Sequence, residues 1–273
     1  MSEQFGRIAL HTWTLETTPL EEAIEAAVAG GFDGLELRRK DFTACFDRGM
    51  SNDDVLELVQ AFDLPVVCLG VEYGWLFADG NESERLFDVF RQSCRNARAL
   101  DCELLMSAVG QNNGPLEQAV ANAKMAGQIA GEEGVKCALE FNSQHSFLNN
   151  VTIMSELVYA VDMQEIGLLL DAYHLTRSGR PGRGFEEVPG ELIYAFQYSD
   201  VPNLPVGDVK RPIDRLLPGE GIVDWVGMFG LLAEKNYTGH LSFEAPNPLQ
   251  WDRVPQDVTR DASIMTRNLL AKK

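Results

Sequence analysis

Positive charge is scarce in this chain. Of 273 residues only 23 are Lys or Arg against 41 Asp or Glu, a formal net charge of −18. That balance argues against a sequence-independent grip on nucleic acid, because phosphates call for a basic surface. It argues equally against docking on an anionic membrane leaflet. Cysteine is sparse as well: Cys45, Cys68, Cys94, Cys102 and Cys137 are odd in number, widely spread and form no C-x-x-C pair. A disulfide scaffold or thiolate zinc site is therefore not expected, and the cysteines read as small buried hydrophobes in a reducing cytoplasm. No apolar run approaches the ~20 residues of a membrane span. The opening MSEQFGRIALHTW has no cationic segment followed by a long apolar one, so no signal peptide is expected. The G-x-G-x-x-G fingerprint is also missing after the first strand, which lowers an open dinucleotide-binding sheet as the alternative fold.

What the chain does have is alternation. Short runs rich in Val, Ile and Leu at 8–13, 34–37, 65–69, 104–108, 137–141, 167–171, 194–198 and 240–244 read as eight strands. Helical periods occupy 20–29, 53–62, 82–99, 116–133, 151–161, 224–234 and 258–270. In 20–29, Ile24, Ala27 and Val28 form an apolar stripe with Glu21, Glu22 and Glu25 on the wet side. Gly30-Gly31 then stops the helix, with similar breaks at Gly134 and Gly239. Strands apolar at consecutive positions suit a parallel sheet buried under helices. Eight strand–helix alternations over this length point to an α/β fold, a single (β/α)8 TIM barrel filling 1–273 as one domain. The longest irregular stretches, 177–188 and 201–221, follow strands, and so lie on the carboxyl-end face where barrel sites are built.

Polar residues end four of the later strands. Glu140 closes CALE, Asp171 closes LLLD, Gln197 lies in AFQYSD and Glu244 closes LSFE. In a barrel these come from neighbouring staves and converge. Three carboxylates gathered without cations repel one another and lose hydration, and a divalent cation resolves the conflict. Three carboxylates and an amide carbonyl make an all-oxygen shell, which favours Mn2+ or Mg2+ over Zn2+. His174, three residues past Asp171, can reach the same site as a substrate ligand or acid/base. Arg215, before the Pro218-Gly219-Glu220-Gly221 turn, suits an oxyanion, carboxylate or sugar hydroxyl. Arg177 and Arg183 are weaker versions of it. His11 and Trp13 either line the pocket or fill the barrel. Asn142 and His145 follow Glu140 and are pocket candidates. Glu36 either contacts substrate or pairs with Arg38 or Arg39. His240 starts the last strand at the opposite end and reads as structural.

The ordered set F-D-G-L-E-L (32–37), A-L-E-F (138–141), L-L-D-A-Y-H (169–174), F-Q-Y-S-D (196–200), R-L-L-P-G-E-G (215–221) and L-S-F-E (241–244) resembles the xylose isomerase-like TIM-barrel superfamily. The similarity is to its sugar-phosphate isomerase/epimerase branch, related to the abasic-site endonucleases, over nearly the whole chain. The resemblance implies Glu140, Asp171, Gln197 and Glu244 as the metal shell. It implies Glu140 and Glu244 as acid/base residues on opposite faces of the substrate, and His174 and Arg215 as substrate contacts. Many members carry His where this chain has Gln197. Gln followed by x-x-D and a P-G-x-G turn is more similar to the hydroxypyruvate isomerase and 3-dehydroshikimate dehydratase branches. The resemblance thus implies a metal-dependent isomerase or epimerase of a keto-sugar or related hydroxy-ketone, or a lyase of a dehydroshikimate- or inosose-like substrate. Proton removal next to a carbonyl is the step these share. A sugar-binding barrel without catalysis is the third reading. Nuclease activity is not expected with four histidines and this charge. Many members pair as dimers or tetramers, so a homo-oligomer is the implied assembly, with a small sugar- or polyol-derived molecule as its partner.

Overall fold

Valine, leucine and isoleucine at successive positions leave a strand no wet face, and all eight such runs pair parallel in a computed structural model describing residues 5–204 and 212–271. The strands are β1 (Ile8–His11), β2 (Gly34–Leu37), β3 (Val66–Gly70), β4 (Leu104–Ala108), β5 (Lys136–Glu140), β6 (Ile166–Asp171), β7 (Ile193–Tyr198) and β8 (Leu241–Phe243). Each pairs with the next in sequence, and β8 returns to β1 to close the barrel. Outside it run α1 (Leu20–Gly30), α2 (Arg39–Asp47), α3 (Asn52–Gln60), α4 (Gly80–Ala99), α5 (Leu116–Glu133), α6 (Val151–Val161), α7 (Ala172–Arg177), α8 (Trp225–Glu234), α9 (Pro248–Trp251) and α10 (Pro255–Ala271). No described helix is long and apolar enough to cross a membrane.

Several boundaries differ from expectation for local physical reasons. β1 stops at His11 because its ring Nδ1 accepts the Trp13 backbone N–H at 3.1 Å, turning 12–15 into a 3-10 turn. Trp13 is therefore outside the strand. α7 begins at the last residue of β6, where the Asp171 carboxylate accepts the Tyr173 N–H and caps it. Short capped helices of this kind leave little periodicity to read, and α2 and α9 were illegible for the same reason. Gly31 and Gly134 end α1 and α5 at φ 78° and 72°. The break expected at Gly239 comes earlier: α8 ends at Glu234, and Asn236 takes the left-handed φ of 57°. The buried face of α1 is Leu20, Ala23, Ile24, Ala26 and Ala27, and Val28 is exposed. Of the loop 201–221, residues 205–211 lie outside the described residues.

The main core lies between barrel and helices. The barrel interior has its own apolar cluster of Ala9, Val67, Cys68, Met106, Ala138, Leu169 and Ala195. All five cysteines are buried and free.

Candidate active site at the carboxyl end of the barrel

Side chains along a strand alternate sides, so a residue two places beyond an interior residue is interior too. Ala138 is followed by Glu140, Leu169 by Asp171, Ala195 by Gln197 and Ala9 by His11. The small apolar layer is thus capped by a polar one at the carboxyl end. Register sets the neighbours: His11 lies beside Glu36, Asp171 beside Gln197, and Gln197 beside Ser242, two residues before Glu244. His11, Glu36, Glu140, Asp171, His174, Gln197, Arg215 and Glu244 are all buried, none more than 5% exposed.

Arg215 holds the carboxylates together. Its Nη1 is 2.7 Å from Asp171 Oδ2 and 2.9 Å from Glu244 Oε2, and Tyr173 stacks on the guanidinium at 4.5 Å. Its position follows from Asp200, a buried carboxylate that accepts the N–H groups of Val201, Gly219 and Val223 and the Trp225 indole at 2.8–3.0 Å. Asp200 also forms an antiparallel bridge to Leu216, next to the arginine. The guanidinium is therefore engaged by Asp171 and Glu244 rather than standing free for an incoming oxyanion. Arg177 and Arg183 are likewise paired, with Asp214 and Glu234.

Two histidines face the two glutamates. His11 Nε2 is 3.3 Å from Glu244 Oε1, and His174 Nε2 is 3.8 Å from Glu140 Oε1. Each ring takes a backbone N–H on Nδ1, from Trp13 and Ser143 respectively. A nitrogen that accepts carries no proton, so the neutral His11 ring presents an Nε2–H to the site, whereas His174 meets a donor at each ring nitrogen, the Ser143 N–H at Nδ1 and Arg215 Nη2 at 3.5 Å from Nε2. Burial, reinforced by Arg38 at His11 and by Arg215 at both, holds both imidazoles well below their usual range.

Burial drives the carboxyls the other way. Glu36 rises to about 7 and Glu244 to about 8. Glu140 is raised well above the ordinary range by burial and by repulsion from Glu244 and Asp171. Asp171 is raised by burial against the pull of Arg215. On Arg215 burial works against the charge, but Asp171, Glu244 and Glu140 outweigh it and the guanidinium stays cationic. One arginine among four buried acids leaves the cluster short of positive charge.

The donor chemistry fits a dication. Glu140 Oε1 and Gln197 Oε1 are buried without a hydrogen-bond partner, while Glu244 Oε2 is held by Arg215. The tightest convergence differs from the four residues expected: ligand atoms of Glu140, Asp171 and His174 lie within 4.8 Å of one another. The Ser143 N–H on His174 Nδ1 and the Arg215 guanidinium at its Nε2 occupy both ring nitrogens, which leaves the oxygens as the better set.

Two sequence candidates are not brought to the cluster. Asn142 accepts the Gln144 N–H within a turn. His145 accepts from Phe147 and Leu148, approaches Asn112 O at 3.1 Å and stacks on Phe77, pinning one loop to another. Trp13 lies at the edge, its ring 5.9 Å from the Arg215 guanidinium. His240 is at the far end, accepting the Arg7 N–H in an open depression of about 680 Å³. Glu36 forms no ion pair with Arg38, which serves Asp41 and Glu16, or with Arg39; it accepts from Gln197 Nε2 at 2.8 Å. Tyr73 was missed: from the loop after β3 this 43% exposed residue turns its hydroxyl inward to 4.0 Å of Met106 Sδ, where desolvation of the hydroxyl together with Glu140 and Glu244 raises the phenol. Its place just past a strand end was the available signal.

Residues 24–268 match the model of a family described as xylose isomerase-like TIM barrel. An inosose isomerase of Halalkalibacterium halodurans is 24% identical over 95% of this chain and 94% of its own length. A 3-dehydroshikimate dehydratase of Pseudomonas putida is 26% identical over 84% of this chain but only 36% of its own. Among solved structures, the IolI protein with a bound zinc atom superposes with a TM-score of 0.88 at 21% identity, covering 98% of this chain and 99% of that one.

Proposed function

We propose, because the chain belongs to the xylose isomerase-like TIM-barrel family, that it is a divalent-metal-dependent isomerase or epimerase of a small polyhydroxylated ketone. The single observation that carries this reading is the sealed polar layer. Two buried glutamates, Glu140 and Glu244, each face a neutral histidine, and Glu140 Oε1 and Gln197 Oε1 have no hydrogen-bond partner. Glu140, Asp171, Gln197 and Glu244 are the residues that would hold the ion. Mn2+ or Mg2+ suits these oxygens, and zinc, named for the solved relative, is the competing occupant. A bound dication supplies Lewis-acid polarisation of a substrate carbonyl there.

The chain's own residues carry the proton traffic. Carboxyls raised toward neutrality are matched to taking a weakly acidic C–H proton and returning it, and Glu244 at about 8 and Glu140 fit that demand. Return to the opposite face gives epimerisation, and return to the neighbouring carbon gives isomerisation. His174, its Nε2 3.8 Å from Glu140 Oε1 and 3.5 Å from Arg215 Nη2, is the residue that would contact a substrate oxygen there. Arg215 keeps Asp171 and Glu244 in position.

A second reading, loss of a β-hydroxyl from a dehydroshikimate-like acid, draws on the similarity to the Pseudomonas dehydratase. One experiment tests both: chelator-stripped protein, reloaded with Mn2+, Mg2+ or Zn2+, incubated in D2O with inosose, keto-sugars, hydroxypyruvate and 3-dehydroshikimate. Metal-dependent deuterium entry with rearranged product supports the isomerase. A conjugated ultraviolet-absorbing product supports the lyase. Exchange by metal-free protein at the reloaded rate refutes the metal-dependent reading.

A further inference from the structure

Gln197 has no exposure, and water cannot supply whatever its amide lacks. The two ends of that amide differ: Oε1 accepts and Nε2 donates, so the direction of the group decides what it offers to the site. Its Nε2 is 2.8 Å from Glu36 Oε1, which comes from β2, two staves beyond the β8 neighbour of β7 and 161 positions away in sequence. A carboxylate can only accept, so it turns the N–H toward itself. The carbonyl Oε1 is left on the other side, buried and without a partner, as is Glu140 Oε1.

Without an acceptor on β2 the balance reverses. The amide N–H would find its best partners in the carboxylates of the cluster, and a donor would then stand where a cation needs an oxygen. Glu36 has no arginine or lysine partner among the described residues, so an ion pair does not account for keeping an acid there. We infer that Glu36 is a positioning residue, which fixes the Gln197 amide so that its carbonyl oxygen, not its N–H, is offered as a cation ligand alongside Glu140, Asp171 and Glu244. This rests on the metal reading proposed above. It adds how a chain with an amide in the shell keeps that amide in the one orientation that can bind.

The test is calorimetric titration of chelator-stripped protein with Mn2+ at pH 8, on three proteins of unchanged far-ultraviolet circular dichroism. Wild type is expected to take up one Mn2+. Glu36→Leu removes the acceptor and is expected to weaken binding about 10–100-fold, the usual cost of losing a group that orients a ligand. The exchange Glu36→Gln with Gln197→Glu keeps the hydrogen bond with its polarity reversed and presents a carboxylate oxygen that needs no orienting. It is expected to bind within about tenfold of wild type. It also keeps the buried pair satisfied, so it is measurable even where Glu36→Leu does not fold. Wild-type affinity in Glu36→Leu, or an exchanged pair more than a hundredfold weaker than wild type, overturns the positioning role. Wild type that takes up no dication overturns the metal reading itself, and the inference with it.

Discussion

Lowering the pH from about 8 to 6.5 should stabilise the metal-free protein, the reverse of ordinary acid destabilisation. In the unfolded chain a glutamate titrates near 4.5, whereas in the fold Glu244 rises to about 8, Glu36 to about 7, and Glu140 well above its ordinary range. Between these limits the folded protein holds protons that the unfolded chain has released, so added protons draw the equilibrium toward the fold. At 1.36 kcal/mol per pH unit, each carboxyl that stays protonated over the window contributes about 2 kcal/mol. Glu244 and Glu36, titrating inside the window, contribute about 2 kcal/mol together, and the raised Glu140 acts in the same direction. That corresponds to about 4–8 °C in Tm for a chain of this size. Below 6.5 the gain slows, because His11 and His174 are held neutral by burial and take up protons only on unfolding. Urea or thermal unfolding in chelator at the two pH values measures it. Saturating Mn2+ should invert the slope, since ligand carboxylates must lose their protons to bind. Metal-free protein no more stable at pH 6.5 than at pH 8 refutes the assignment of raised carboxyls to this cluster.

The two-glutamate scheme predicts that Glu140→Gln and Glu244→Gln each lower kcat by ~10²–10⁴; steady-state assay checks this, and wild-type turnover in either variant rejects the scheme. Asp200→Ala strips the acceptor from three backbone N–H groups and the Trp225 indole. It should cost about 3 kcal/mol or more in urea unfolding and loosen the hold of Arg215 on Asp171 and Glu244. Gly221→Ala would push a Cβ to 2.2 Å from Val201 O and 2.4 Å from Asp200 Oδ1. A loss of about 1–3 kcal/mol is expected, and an unchanged unfolding midpoint would show that the loop yields freely.

Strand number and fold class were legible because they rest on local patterns. Runs such as VVCL and LLLD have no wet face, and the helices between them have a single apolar stripe. The inward placement of Glu140, Asp171 and Gln197 has a related cause: strand parity puts them two positions beyond the interior residues Ala138, Leu169 and Ala195. The roles of Asn142 and His145 were not legible because a loop obeys no such parity, and backbone N–H groups engage both side chains. Glu36 stayed ambiguous because Arg38 and Arg39 are its neighbours in sequence, whereas its partner lies across the barrel on β7.

The sequence by itself determined the alternation, the parallel sheet and which polar side chains cap the strands, since each depends on residues a few positions apart. Only the tertiary structure decided that Arg215 is buried between Asp171 and Glu244, that each glutamate faces a neutral imidazole, and that an acid on β2 turns an amide on β7. Those are contacts across a closed ring. They come into being when β8 meets β1, and burial then shifts every charge inside.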